Sequence, residues 1–244
     1  MDDADDFNPK RERSPVAWLA IAGLITVFMW QMPFGSMAMY PFSILSTWFH
    51  EMGHGLTAIL MGGSFKYLEI FPNGSGLAVH ATQGGLQQAL VSAGGLLGPP
   101  IAGAFFIVSG SSEKRSRLVL AVLGLSLVIS TVIWVRSSFG WVILPPTGLA
   151  LLLAAGKGPG WLQPVLLQFL GVQACISSFH QLDYLFMNQI NMGGQIMYSD
   201  TAKIASILFL PYWFWGGLIA VLSFALLAGS LMHVSRVARK KAKA

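Results

Sequence analysis

The chain has 244 residues, of which 54% are apolar and only 10% charged, and its mean hydropathy is +0.63. Soluble domains carry nearer a quarter charged residues, so the composition excludes an ordinary water-soluble enzyme and describes a multi-pass integral membrane protein. The formal net charge of +5 does not indicate nucleic acid, because the basic residues sit at the termini and in short loops, where they meet a lipid surface.

Residues 1–15 combine an acidic cluster (Asp2, Asp3, Asp5, Asp6) with Lys10, Arg11, Glu12 and Arg13, and read as a solvated polar tail. The run Val16 to Trp30 resembles a signal-peptide core, but its acidic leader and the lack of a clear cleavage motif favour a retained span. A second apolar segment, Pro41 to Met61, follows a break at Pro33 and Gly35. The stretch Gly62 to Gly85 is the least hydrophobic inside the chain. Its runs Phe65 to Phe71 and Leu77 to Thr82 flank Asn73-Gly74, which predicts a β-hairpin at the membrane surface.

Further spans are predicted at Leu86 to Val108, Leu118 to Val135, Trp141 to Ala155, Trp161 to Phe179 and Ile204 to Met232. Each crossing uses roughly 20 residues, so an all-α transmembrane bundle of about six or seven spans follows, as one unit over 16–235. Pro145-Pro146 interrupts the segment from Trp141, which is expected to be broken or re-entrant. The basic tail 236–244 (Arg236, Arg239, Lys240, Lys241, Lys243) predicts a cytoplasmic carboxyl terminus, on the side of the loop Glu113 to Arg117. The single cysteine, Cys175, sits in an apolar run and reads as a small packed hydrophobe.

Charge locates the chemistry more sharply than hydropathy. Between Val16 and Gly110 the only charged residues are Glu51, Lys66 and Glu69, and the last two belong to the predicted hairpin. Glu51 is therefore alone inside an apolar span. An intramembrane carboxylate costs on the order of 3 kcal/mol and marks a functional site by default. Its surroundings, His50-Glu51-Met52-Gly53-His54, form the pattern His-Glu-x-x-His. On a helix, positions i and i+4 share a face, so two imidazoles can grip one metal while the glutamate reaches a water on it. Two imidazoles and an oxygen ligand suit zinc with a fourth position open. Glu51 then serves as general base and acid in peptide hydrolysis.

A third ligand is needed, and the apolar body offers few. Asp183, in His180-Gln181-Leu182-Asp183-Tyr184, closes a long apolar run and is the favoured candidate; Asp200, in Ser199-Asp200-Thr201-Ala202, is the alternative, with a helix N-cap as its plainer role. His180 is a further option. His80 and His233 read as surface or packing histidines. Gly94 and Gly98, spaced i, i+4 in Ser92 to Pro100, allow close helix packing in lipid, and Pro99-Pro100 is expected to kink or break that helix.

These residues resemble the site-2 protease superfamily of intramembrane zinc metallopeptidases, in its compact branch without a large inserted domain. The likeness rests on His50 to His54 with Gly55 and Gly62-Gly63, on the small-residue run Ser92 to Pro100, on Leu182-Asp183, and on Ser199 to Ala202 followed by Pro211 and Trp213. It implies zinc on His50, His54 and Asp183 (or Asp200), Glu51 as the catalytic residue, and a membrane-embedded segment of another protein as substrate. Two other readings are a non-proteolytic metal-binding scaffold and a metal transporter. The transporter is less favoured because its path needs polar residues on several spans.

Overall fold

The structure, a computed structural model, describes residues 15–32, 34–180, 182–192 and 195–241. Helices α1 (Pro15–Gln31) and α2 (Gly35–Leu60) lead into a hairpin of β1 (Ser64–Ile70) and β2 (Gly76–Ala81). Four helices follow: α3 (Leu86–Ser109), α4 (Glu113–Ile133), α5 (Ser138–Lys157) and α6 (Leu162–His180). The chain then forms the one-turn α7 (Leu182–Leu185), a second hairpin of β3 (Gln189–Met192) and β4 (Gln195–Tyr198), and the helices α8 (Asp200–Leu208) and α9 (Tyr212–Lys241). Helix dominates, as the sequence predicts, and α3, α4, α5 and α9 are each long and apolar enough to cross a bilayer.

Helix α2 carries two chemically different faces. Ile44, Leu45, Trp48 and Met52 recur at helical spacing and bury against β1 and α4, beside Leu68, Ile70, Leu123 and Leu127. Trp48 completes this face by donating its indole N–H to Ser130 Oγ at 3.0 Å. Thr47, His50, Glu51 and His54 lie on the other face and line a cavity. The helix ends in paired bonds from Gly62 N–H to the Ile59 carbonyl and from Gly63 N–H to the Ala58 carbonyl, 3.0 and 2.8 Å. Gly62 adopts φ +79°. That Schellman ending turns the chain back over the helix, which is why the hairpin lies across the motif.

Strands β1 and β2 pair antiparallel from Ser64↔Ala81 to Ile70↔Gly76, with an irregularity between Phe65 and Tyr67. The outer edge of β1 is closed by the α4–α5 connection: Leu68 N–H donates to the Trp134 carbonyl and Arg136 N–H to that of Leu68, at 2.9 and 3.0 Å. Two hydroxyls hold the turn down on α2, Tyr40 on the Pro72 carbonyl and Thr47 on that of Gly74, both at 2.6 Å.

Two expectations need correction. Helix α5 runs unbroken through Pro145 and Pro146, and α3 through Pro99 and Pro100. Packing supports both: Gly124 and Gly148 bring α4 and α5 into backbone contact, and in α3 the Pro100 carbonyl accepts from Cys175 Sγ of α6 at 3.6 Å. The segment from Ile204 to Met232 is two helices, because α8 stops at Phe209, φ +63°, ahead of Pro211. The basic tail is helical as far as Lys241, continuing α9. The β3–β4 hairpin has no counterpart in the sequence reading; its strands are four residues each, too short for a clear alternation. Residues 1–14 of the expected polar tail lie outside the described residues.

Candidate metal centre

The cavity, about 200 Å³, is walled by α2, by the β1–β2 turn and β2, by Tyr184 of α7, by Met197 and Tyr198 of β4, and by Asp200 and Lys203 of α8. His50, Glu51 and His54 come from one turn of α2, as the i, i+4 spacing requires. Glu51 is buried, 5% exposed, with Gly76 packed directly on its side chain. The Ala78 backbone hydrogen-bonds to its carboxylate.

Asp200 reaches the same point from α8. Ser199 caps that helix, accepting from Ala202 N–H at 3.2 Å and donating to the Met187 carbonyl at 2.6 Å, so the aspartate sits in the first turn, where the helix dipole favours negative charge. Its Oδ2 lies 3.3 Å from His50 Nε2 and 3.2 Å from His54 Nε2, and the two Nε2 atoms are 3.0 Å apart. His50, His54 and Asp200 are the group that can hold a metal among the described residues.

The chemistry of these atoms fits a cation. His54 Nδ1 lies 2.9 Å from the Val91 carbonyl. A carbonyl only accepts, so Nδ1 carries the proton and Nε2 presents a lone pair. A carboxylate oxygen and imidazole nitrogens converging at 3.0–3.3 Å form one face of a tetrahedron, whose corners stand about 3.3 Å apart for bonds of about 2.0 Å. Around them lies a supporting shell. Tyr184 OH donates to Asp200 Oδ2 at 2.7 Å, and Ser92 Oγ and Lys203 Nζ hold Oδ1 at 3.3 and 3.2 Å.

The glycine run of α3 gives His54 its place. Gly94 and Gly98 put α3 against the backbone of α2 at Gly53 and Phe49, and a side chain at Gly95 would occupy the volume of the His54 ring. The spacing of Gly94 and Gly98 predicts their close packing; the space that Gly95 leaves for the His54 ring has no sequence signal.

Asp183 lies in α7, next to Tyr184, but its side chain is outside the described residues, as is that of His180. Tyr184, Lys203, Ser92 and His80 were missed as site residues. For Tyr184 a signal existed, since it adjoins the favoured aspartate. His80 stacks on His54, centroids 6.1 Å apart and planes at 29°. Burial pushes its imidazole below the ordinary histidine pKa, with the neighbouring His54 acting in the same direction.

A family model described as Peptidase M50B-like matches residues 18–230. No curated protein and no solved structure matches the chain.

Proposed function

The chain belongs to the Peptidase M50B-like family and is a metallopeptidase of the site-2 protease type; from that membership we propose an intramembrane zinc endopeptidase that cuts membrane-embedded segments of other proteins. The observation that carries the reading is the convergence of His50 Nε2, His54 Nε2 and Asp200 Oδ2 beside the buried carboxylate of Glu51. These three atoms are the ligands we assign. Asp183 remains the second candidate for the oxygen ligand.

Zinc held by His50, His54 and Asp200 would supply Lewis acidity to a water and to a peptide carbonyl. Glu51 takes a proton from that water as its oxygen bonds to the carbonyl carbon. It returns the proton to the nitrogen as the C–N bond breaks, leaving an amine and a carboxylic acid that keeps the second water proton. The Val91 carbonyl fixes the His54 tautomer, and Tyr184 and Ser92 fix the carboxylate of Asp200.

Helical peptide groups are already hydrogen-bonded, so a substrate helix must be extended before it is cut. With the outer edge of β1 taken by residues 134–136, an extended segment is received along β2, which lines the cavity.

Glu51→Gln tests the reading. The substituted protein is expected to keep its zinc, measured by elemental analysis, and to lose cleavage of a fluorophore–quencher transmembrane peptide of about 25 residues in micelles. Undiminished cleavage refutes it, and zinc flux into proteoliposomes that survives the substitution points to transport instead.

A further inference from the structure

One polar group in the cavity has no part in the chemistry above. His80 lines the cavity, and its Nδ1 is shut off from solvent with no hydrogen-bond partner among the described residues. An unmet polar atom in a low-dielectric site costs roughly 1–3 kcal/mol. The rest of the half-buried ring lines the cavity, where a ligand can meet it.

Its placement says which ligand. Side chains two apart along a strand share a face, so Gly76, Ala78 and His80 all point the same way. Gly76 covers Glu51, Ala78 bonds to that carboxylate, and His80 covers His54. Strand β2 thus runs from the Glu51 carboxylate on α2, beside Gly76 and Ala78, to His80 beside His54, with Ala78 and His80 about 7 Å apart along it. An attacking water deprotonated by Glu51 would lie at the Gly76–Ala78 end of the strand, which leaves the His80 end for the carbonyl oxygen of a peptide group over the triangle.

We propose that His80 is a catalytic residue, whose imidazole N–H donates a hydrogen bond to the substrate carbonyl oxygen as that oxygen gains charge. The inference rests on the peptidase reading. No proton leaves His80: the water proton travels through Glu51 to the leaving nitrogen, and the hydrogen bond shortens as the C–O bond forms and relaxes as the C–N bond breaks. A donor aimed at a developing oxyanion contributes about 10²–10³-fold to kcat.

The experiment compares wild type, His80→Phe, His80→Gln and Glu51→Gln on the same transmembrane peptide, with zinc content measured for each. A second readout is binding of a phosphinic analogue of the peptide, which mimics the tetrahedral oxygens. His80→Phe is expected to lower kcat about 10²–10³-fold with zinc content unchanged and KM within about threefold. It should weaken the phosphinic analogue by a similar factor but not the uncleaved peptide. His80→Gln, which restores an N–H, should recover about tenfold. Wild-type kcat in His80→Phe overturns the assignment while Glu51→Gln still reports on the peptidase reading. A joint fall of zinc content and kcat, or a rise confined to KM, marks a packing role and equally overturns it. If wild type itself fails to cut the peptide, both readings fall together.

Discussion

Adding one methyl at Gly76 should separate metal binding from catalysis. A Cβ there would lie 2.6 Å from Glu51 Cγ and Oε1 and from Thr47 Cγ2, against the 3.4 Å or more of an ordinary contact. The deficit is about 0.8 Å, and neither neighbour yields easily: Thr47 is tied to the Gly74 and Ser43 carbonyls, and Glu51 is buried. Strand β2 must lift or the carboxylate must swing. Overpacking of this kind costs about 1–3 kcal/mol, and a displacement near 1 Å at the reacting groups lowers turnover about 10²-fold. The ligand atoms of His50, His54 and Asp200 are untouched, so zinc content should stay at the wild-type level. The assay is peptide cleavage beside elemental analysis, with Gly156→Ala, whose added methyl meets nothing within 4 Å, as the neutral control. Wild-type kcat in Gly76→Ala would refute the claim that the hairpin holds Glu51 in its working position.

Two further substitutions probe the ligands and their support. Asp200→Ala should abolish stoichiometric zinc in elemental analysis and Asp183→Ala should leave it intact; the opposite pattern assigns the third ligand to Asp183. Tyr184→Phe removes the 2.7 Å bond to Asp200 Oδ2 and should weaken zinc affinity about 10–100-fold, read by competition with a chelator, while folding is unchanged by circular dichroism.

Much of this architecture was legible in the residues, for identifiable reasons. The His-Glu-x-x-His run shows in sequence because its geometry is local to a single helical turn, and Glu51 stands out because charge is scarce in lipid. Asn73-Gly74 marks the first hairpin because the turn demands a residue with φ +85°. The third oxygen donor was harder to choose. Asp183 and Asp200 lie only 17 positions apart, both beyond the last long apolar run before them, and which carboxylate meets α2 depends on how α8 packs against α3, which no periodicity encodes. The N-cap assigned to Asp200 falls one residue earlier, on Ser199, and that shift frees the aspartate to face the histidines. His80 was passed over because a lone histidine on a strand carries no motif; its meaning comes from the strand lying over α2. The prolines misled for a related reason. In water they would end a helix, whereas here neighbouring helices enclose the gap in the ladder.

The seam between α2 and α3 has a mechanical consequence. Where two helices meet through glycine, main chain rests on main chain, and no rotamer can absorb a displacement. His54 stands on one side of that seam and its anchors, the Val91 carbonyl and the Ser92 hydroxyl that steadies Asp200, on the other, so prising it apart would scatter the ligands before any guest arrived. The ligand triangle is thus held by the one seam of the site in which main chain meets main chain, while the facing wall of the cavity is built from side chains and turn residues of β2 and β4.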